Sequence, residues 1–365
     1  MSPEPTPYRA PLFDQVAARP EIDLTVIYAA RTVAGRRWDV RTNHRSVFLR
    51  GVGVPGARRI LHHDYPVTPG IRRALGAVRP DCVIVSGWST FASQAAIGWC
   101  RRRRVPFLLI VESHDEGPRA SWRRRVKSSV VPLIVRRAAG VLVTGTLARE
   151  SMLAYGARPE HVRVFANTID VEGWSERADR LALRRPELRE RLGLDDDDVA
   201  VLSVARLSPE KGLETLVRAV AEGGGPLVLV LAGSGPERGR LEELARGLGV
   251  RLVLAGDLPH EGVIEAYVAA DVFALLSERE PWGVVVNEAA ACGLPLVLSD
   301  RVGAAPDLLR DGENGVLVPA GDVEAAAEAL RRTDPAMGRR SREIVRGWSY
   351  GPSVDNLVAS VQEAV

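Results

Sequence analysis

The chain has 365 residues, of which 46% are hydrophobic and 26% are charged. This length suggests two domains at roughly 100–200 residues each, and the composition excludes collagen-like, disordered and disulfide-scaffold proteins. The longest apolar runs, such as Phe107–Val111 and Leu227–Ala232, are far shorter than the ~18 residues of a membrane-spanning helix. The net charge of +3 conceals an asymmetry, because residues 1–170 hold 27 basic and 13 acidic side chains whereas residues 171–365 hold 22 and 33. We therefore expect two domains with different partners.

The first half predicts an irregular alternation of strands and helices. Apolar runs that predict strands lie at Leu24–Tyr28, Cys82–Val85, Phe107–Val111, Val141–Val143 and Val162–Phe165. Helical patterns lie at Arg9–Ala18, Ile71–Val78, Phe91–Arg101, Trp122–Arg137 and Leu147–Tyr155. The first helix follows a proline-rich segment so closely that either the first strand of this domain is very short or the sequence begins late.

The second half predicts a regular α/β domain. Continuous apolar runs predict strands at Val199–Val204, Leu227–Ala232, Arg251–Leu254, Val272–Leu275, Pro295–Leu298 and Gly315–Val318. The segments between them predict helices at Leu213–Glu222, Arg238–Leu248, Glu261–Ala270 and Val284–Cys292, with a further helix from Asp322. Continuous apolar strands separated by helices are typical of a parallel sheet covered on both faces, so we expect a doubly wound domain.

The predicted domains are residues 1–170, residues 171–345, and a C-terminal helix over 346–365 that returns to the first domain. Residues 171–198 are charged and predict a linker, with a hinge near Asp170–Gly173. The run Asp195–Asp198 could be taken for a metal site, but its place before a strand favours a solvated turn. Two doubly wound domains that face each other would bind a ligand in the cleft between them.

The segment that follows the strand Val199–Val204 predicts a phosphate site. Arg206 stands just past the carboxyl end of the strand, and Lys211 stands just before the next helix. Two cations at a helix N-terminus are suited to phosphate oxygens. Lys211 is one of two lysines in the chain, which makes a specific role for it more plausible.

A glycine turn and a pair of glutamates complete the candidate site. Gly233 lies in the turn Ala232–Pro236, which lacks the third glycine of a dinucleotide fingerprint. Glu280 and Glu288 flank the start of a helix. The backbone N–H groups of Trp282, Gly283 and Val284 at this helix start can donate hydrogen bonds to an anion. Carboxylates accept hydrogen bonds from sugar hydroxyls, so the arrangement is suited to a nucleotide sugar.

The stretch from Ser203 to Gly321 resembles the retaining glycosyltransferases of family 4, which have the two-domain GT-B fold. The motifs that carry the resemblance are Arg206-x4-Lys211, the turn Ala232–Pro236, Glu280-x7-Glu288, Ala291–Pro295, Gly303 and Asn314-Gly315. At the domain junction, Asn167–Asp170 resembles the family's Asn-Gly-Ile/Val-Asp, with Thr168 in place of glycine. The first half resembles the family only in outline.

The resemblance implies roles for individual residues. Glu280 would bind hydroxyls of the donor sugar, Glu288 the ribose, and Arg206 with Lys211 the diphosphate. Leu258, in the loop Gly256–Leu258, would pack on the base. His114 lies roughly where the family often has a histidine or polar group near the donor sugar.

These observations predict a retaining glycosyltransferase that needs no metal or other cofactor. It would move a sugar from a nucleotide diphosphate, with UDP- and GDP-hexoses favoured, to an acceptor hydroxyl. Protein cations would stabilise the leaving diphosphate, and the resemblance implies front-face attack with retention. The alternatives are a small-molecule glycosyltransferase, a nucleotide-sugar epimerase or phosphorylase of the same fold, and a binder of anionic polymers.

Cysteine usage and basic clusters bear on location and acceptor. Three cysteines without metal-type spacing, and the absence of a signal-peptide core in residues 1–16, favour the cytoplasm. The segment Ser121–Ala139 mixes cations, including Arg123–Arg125, with apolar residues and Trp122, as in a helix that lies on an anionic membrane. We therefore expect contact with the inner face of the membrane and a lipid-linked glycan or glycolipid as acceptor. Nucleic acid is not an expected partner.

Overall fold

The computed structural model describes residues 1–31, 40–52, 67–112 and 129–365. The chain divides into two compact units. Unit 1 holds Met1–Thr168 together with Tyr350–Val365, and unit 2 holds Ile169–Ser349. The last helix, Tyr350–Ala364, therefore belongs to the same unit as the first half of the chain.

Unit 1 contains a four-stranded parallel sheet and a separate parallel pair. The pair is β1 (Thr25–Tyr28) with β2 (Arg45–Phe48), and the sheet has the order β3-β4-β5-β6. Its strands are β3 (Val83–Ser86), β4 (Phe107–Val111), β5 (Gly140–Val143) and β6 (Val162–Val164). The helices with described bounds are Arg9–Ala17, Ile71–Val78, Phe91–Arg103, Thr146–Ala154 and Tyr350–Ala364, and residues 129–135 are also helical.

The first residues of the chain lie between β1 and β3. Ser2 forms a parallel bridge with Tyr28, and its N–H donates to the Ile27 carbonyl at 2.9 Å. On the other side, the Met1 amino group donates to the Ile84 carbonyl at 2.6 Å. Burial lowers the pKa of that amino group to about 5. A doubly wound domain would have its first strand at this position, and here Ser2 alone pairs with β1.

Unit 2 contains one six-stranded, fully parallel sheet of order β12-β11-β10-β7-β8-β9. Its strands are β7 (Val199–Val204), β8 (Leu227–Ala232), β9 (Leu252–Gly256), β10 (Val272–Leu275), β11 (Leu296–Ser299) and β12 (Gly315–Val318). The four central residues of β7 and all four of β10 and β11 are buried, as expected for strands covered on both faces. The fold of the unit is a doubly wound α/β domain.

Helices cover both faces of this sheet. Those that lie between strands are Leu213–Gly223, Arg238–Leu248, His260–Ala269, Val284–Ala291 and the short Ala305–Leu308. Val323–Arg332 follows β12 and packs on Leu213–Gly223, while Met337–Arg346 packs on Val284–Ala291. The core on one face is built from residues such as Leu216, Leu229 and Ala326, all 1% exposed or less.

The prediction of a linker over residues 171–198 is wrong. This stretch forms the helices Val171–Ala182 and Arg185–Arg191, and Asp170 caps the first of them by accepting from the Gly173 N–H at 3.1 Å. Arg189 is 4% exposed and bonds Asp271, which also accepts from the Ala200 N–H at the start of β7. The charges of this stretch therefore attach its helices to the sheet instead of solvating a linker.

The run Asp195–Asp198 forms a turn in which two of the four carboxylates contact one arginine. Arg251 contacts carboxylates of Asp195 and Asp198 at 3.0 and 2.9 Å. Over the described ranges, no cluster of three or more His, Cys, Asp or Glu side chains is arranged to hold a metal ion. Over the same ranges, no helix is long and apolar enough to span a bilayer.

Candidate functional site

The strand order of unit 2 locates a crevice before any side chain is considered. From β7 the chain moves outward to β8 and β9, then returns to β10 on the other side of β7. Ligands of open α/β sheets bind outside the carboxyl ends of the strands at such a reversal of order. The loops 205–212 after β7 and 276–283 after β10 flank this point, and they hold Arg206, Lys211 and Glu280.

Lys211 and Glu280 form an ion pair across the crevice although 69 positions separate them. Their side chains are 20% and 13% exposed, so both are largely withdrawn from water but remain accessible. Arg206 is 57% exposed and pairs with Glu210, and its Nε donates to Ser208 Oγ at 3.3 Å. Each of the two predicted phosphate cations is therefore held by a carboxylate, and Glu210 is a residue that the sequence analysis did not single out.

The two loops are held together through their backbones. The N–H of Glu278 donates to the Glu210 carbonyl at 3.0 Å. Gly212 has φ +62°, and a Cβ there would lie 2.0 Å from the Leu276 carbonyl oxygen. Only glycine permits this approach, so Gly212 is what allows Lys211 to reach the β10 loop.

The turn after β8 packs against the β7 loop in the same way. Gly233 has φ +132°, and a Cβ there would lie 2.1 Å from the Ala205 carbonyl oxygen. Its N–H donates to the Gly256 carbonyl at 2.7 Å, at the end of β9. Ser234 Oγ donates to Asp257 at 2.7 Å, next to Leu258. The loops after β7, β8 and β9 thus form a continuous rim at the carboxyl edge.

The helix Val284–Ala291 begins at the crevice. Gly283 precedes it with φ +90°, and no side chain caps its first turn. Trp282 is 2% exposed, and its indole N–H donates to Asn287 at 3.0 Å, which fixes the entry of the chain into the helix. An uncapped helix start presents N–H groups and a partial positive charge to an anion.

Glu288 lies one turn further along this helix and contacts Tyr267. The Tyr267 hydroxyl lies 3.0 Å from Glu288 Oε2 and 3.2 Å from the Val285 carbonyl. Burial raises the pKa of the Glu288 carboxyl to about 7, although the Tyr267 hydrogen bond opposes the shift. Tyr267 belongs to the helix His260–Ala269, which begins just after Leu258. Its hydroxyl therefore joins the helix that carries the predicted ribose contact to the helix that follows the predicted base contact.

Two family models match the chain on either side of the junction. Residues 12–168 match "Glycosyl transferase 4-like domain", and residues 184–333 match "Glycosyl transferases group 1". A D-inositol 3-phosphate glycosyltransferase of Thermomonospora curvata is 30% identical over 80% of this chain and 74% of that protein. The chain belongs to glycosyltransferase family 4.

Other relatives match a shorter part of their own sequence. An alpha-D-kanosaminyltransferase of Streptomyces kanamyceticus is 36% identical over 62% of this chain and 58% of that protein. A D-inositol 3-phosphate glycosyltransferase of Acidothermus cellulolyticus is 37% identical over 58% of this chain and 48% of that protein. The chain thus spans roughly half of the length of these curated relatives.

Solved structures establish the fold over the whole chain. Anabaena HepE in complex with UDP matches with a TM-score of 0.75 and 18% identity, covering 99% of this chain and 98% of that one. Sucrose-phosphate synthase of Thermosynechococcus elongatus matches with a TM-score of 0.73 and 23% identity, covering 98% and 92%. The α/β architecture with two Rossmann-like units is that of the GT-B fold, as predicted.

The structure brings together some of the predicted site residues and leaves others unassessed. Arg206, Lys211, Glu280 and Gly283 converge on the β7–β10 crevice, and Gly233 supports its rim. Trp282 contributes through its buried ring as well as its backbone. His114 lies outside the described residues. Tyr267 and Glu210 were missed. Tyr267 belongs to no motif, Glu210 is an unspecified position of Arg206-x4-Lys211, and their contacts with Glu288 and Arg206 appear only in the folded chain.

Proposed function

We propose that this protein transfers a sugar from a nucleotide diphosphate sugar to an acceptor hydroxyl. The observation that carries the proposal is the Lys211–Glu280 pair beside Arg206 at the β7–β10 crevice. The bond that breaks joins the sugar to the diphosphate. A cation that binds phosphate is therefore needed next to a carboxylate that binds sugar hydroxyls. The complexes of HepE with UDP and with UDP-glucose support a UDP-sugar donor.

In this proposal, donor binding rearranges contacts that the free protein makes internally. The diphosphate accepts hydrogen bonds from Lys211, Arg206 and the N–H groups near Gly283, and it replaces the carboxylates that hold the two cations. Glu280, released from Lys211, accepts from hydroxyls of the sugar. Charge that develops on the leaving diphosphate is stabilised by groups already in position.

The retaining, metal-independent mechanism is part of the proposal. Lys211, Arg206 and the helix start can supply the positive charge for the leaving group, so the reaction as proposed needs no divalent ion. The acceptor hydroxyl attacks from the face that the nucleotide leaves, and a donor phosphate oxygen takes its proton. Glu288 is assigned to the ribose and Leu258 to the base.

A small polyhydroxylated molecule is the acceptor that the relatives favour. Several of them are D-inositol 3-phosphate glycosyltransferases, whose name gives a phosphorylated cyclic polyol as acceptor. A lipid-linked glycan is the second candidate, supported by the exposed run Arg101–Arg104 of unit 1. Of the other basic residues behind that expectation, Arg136 and Arg137 are exposed, and Arg119, Arg123–Arg125 and Lys127 lie outside the described residues. A cytoplasmic location stays a prediction.

The test is turnover by Glu280→Gln on a panel of nucleotide sugars, measured as release of the nucleoside diphosphate. The substitution keeps the shape but removes the charged acceptor, and we expect kcat/KM to fall roughly ten- to hundredfold. Glu278→Gln is the matched control, because Glu278 is an exposed carboxylate of the same loop. We expect less than about a twofold change there, since no role is assigned to its side chain.

The panel also separates the alternatives. An epimerase would convert the donor sugar without releasing nucleotide, and a phosphorylase would need inorganic phosphate. A binder of anionic polymers would bind RNA in a salt-dependent way and turn over none of the donors. Normal turnover by Glu280→Gln would refute the sugar-binding role.

A further inference from the structure

The amino edge of the four-stranded sheet in unit 1 carries arginines that sugar transfer does not use. The connections that enter β3, β4, β5 and β6 are residues 79–82, 101–106, 136–139 and 156–161. Their eight arginines are Arg79, the run Arg101–Arg104, Arg136, Arg137 and Arg158, and their acidic residues are Asp81 and Glu160. We call this surface the arginine edge.

The arginines of this edge are free of partners within the described part of the chain. All eight are exposed, and none forms an ion pair or a side-chain hydrogen bond with another described residue. Adjacent strands lie about 4.8 Å apart, so the four connections meet the sheet within roughly 15 Å of each other. The edge is opposite the carboxyl ends, where ligands of α/β sheets bind. Substrate chemistry therefore gives no reason for its charge.

Two of these arginines occupy a backbone conformation that favours glycine. Arg79 and Arg104 end the helices Ile71–Val78 and Phe91–Arg103 with φ of 52° and 58°. They are the non-glycine residues with positive φ in the described ranges. Helices commonly end on glycine here, because a Cβ makes the left-handed region unfavourable. Arginine at both positions therefore carries a backbone cost that glycine would avoid.

The edge also has a pocket and apolar side chains. A cavity of about 190 Å³ lies where β5 and β6 begin, and its lining includes Arg136, Arg158 and His161. Two exposed cations beside a cavity are suited to bind the oxygens of a phosphate group. Just before β5, Val130 and Leu133 are 44% and 53% exposed.

We propose that the arginine edge is a docking surface for a bilayer that contains anionic phospholipid. Unpaired cations along one sheet edge, a pocket lined by two of them and exposed apolar side chains match headgroups and the acyl boundary beneath them. Binders of single-stranded nucleic acid add aromatic residues for base stacking, and the four connections contain no Phe, Tyr or Trp. The proposal does not depend on the transfer reaction or on a lipid acceptor.

The test is flotation of the whole protein with vesicles of phosphatidylcholine, alone or mixed with phosphatidylglycerol. We expect binding that needs phosphatidylglycerol and falls with salt. Arg79→Gly with Arg104→Gly should lower partition roughly twenty-five- to thirtyfold, because each basic residue near such a surface contributes a factor of about five. Glycine suits the left-handed backbone at both positions, so the melting temperature should not fall.

The matched control is Arg72→Ser with Arg73→Ser, which removes the same charge. Both arginines are exposed but lie at the start of the helix Ile71–Val78, roughly 10 Å from its end. We expect partition close to that of the unmodified protein. No binding to anionic vesicles, equal loss in both variants, or tighter binding to single-stranded RNA or polyglutamate would overturn the proposal. Displacement from vesicles by inorganic phosphate at low millimolar concentration would also overturn it, since one phosphate cannot replace a surface.

Discussion

At the carboxyl edge of the six-stranded sheet, Arg206 and Lys211 each pair with a carboxylate, whereas the arginines at the amino edge of the four-stranded sheet have none among the described residues. A paired cation is held in a fixed geometry, and a ligand must replace its partner. An unpaired, exposed cation attracts anions over a distance limited by screening, about 10 Å at 0.1 M salt. The comparison distinguishes a site that fixes one small ligand from a surface that attracts any anionic layer.

The largest expected effect is that of Lys211→Ala on transfer. Loss of a positioned positive group at a leaving diphosphate should lower kcat/KM roughly 10²–10³-fold. Initial rates with the best nucleotide sugar measure it. Arg101→Ala is the contrasting variant, because Arg101 is exposed, unpaired and on the other edge. A comparable loss of kcat/KM in Arg101→Ala would contradict the assignment of transfer to the carboxyl edge of the six-stranded sheet alone.

The second effect concerns the backbone that the paired edge requires. Gly212 and Gly193 have nearly equal φ, +62° and +67°, but a Cβ meets the Leu276 carbonyl only at Gly212. We expect Gly212→Ala to lower the free energy of unfolding by about 3 kcal/mol and Gly193→Ala by about 1 kcal/mol. Urea denaturation measures both. Equal costs would show that the loop contact adds nothing to backbone strain.

A smaller effect comes from Tyr267→Phe. Because the pKa of Glu288 is raised to about 7, affinity for UDP should rise as the pH increases through 7 and the carboxylate forms. The Tyr267 hydroxyl stabilises that carboxylate, so the variant should bind UDP about tenfold more weakly at neutral pH, with the midpoint moved upward. Calorimetric titration across pH tests this, and an unmoved midpoint would contradict it.

The same carboxyl has an opposite effect on stability. Its pKa in the folded protein lies above its ordinary value of 4.5, so the folded state binds the proton more tightly. The stabilisation from this group is complete below about 4.5 and is lost as the pH rises through 7. The free protein should therefore lose stability over the range in which UDP binding improves.

The smallest expected effect is that of a chelator. Protein groups supply the positive charge in the proposed mechanism, so transfer should continue at an unchanged rate in excess EDTA. Loss of activity that Mn²⁺ or Mg²⁺ restores would show that the cations of the paired edge are not sufficient.

The sequence predicts unit 2 best where strands are buried on both faces. Val199–Val204 and Leu227–Ala232 have the predicted bounds, because continuous apolar runs of this length are typical of strands that are buried on both faces. Arg45–Phe48 was not predicted, since a short strand with no buried residue carries no clear pattern. Met337–Arg346 was not predicted separately, because it has few apolar residues, although these lie on one face at the helical period.

Prediction of the candidate site is limited by contacts between distant residues. The spacing of the motifs identifies four candidate functional residues, namely Arg206, Lys211, Glu280 and Glu288. It does not predict that Lys211 forms an ion pair with Glu280. The charged stretch 171–198 predicts a linker, whereas in the structure Arg185 and Arg189 bond Asp271, more than 80 positions away. Charge predicts solvation only while no buried partner exists elsewhere in the chain.

The discontinuity of unit 1 has a consequence for synthesis. The helix Tyr350–Ala364 packs on Arg9–Ala17 and covers a core that includes Leu108, Ile110 and Phe165. When the ribosome has completed residue 168, nearly two hundred codons remain before this helix is made. At about 5–20 residues per second, that apolar face stays uncovered for roughly ten to forty seconds. Unit 2, translated in between and continuous in sequence, can therefore reach its native state before the unit that precedes it on the message.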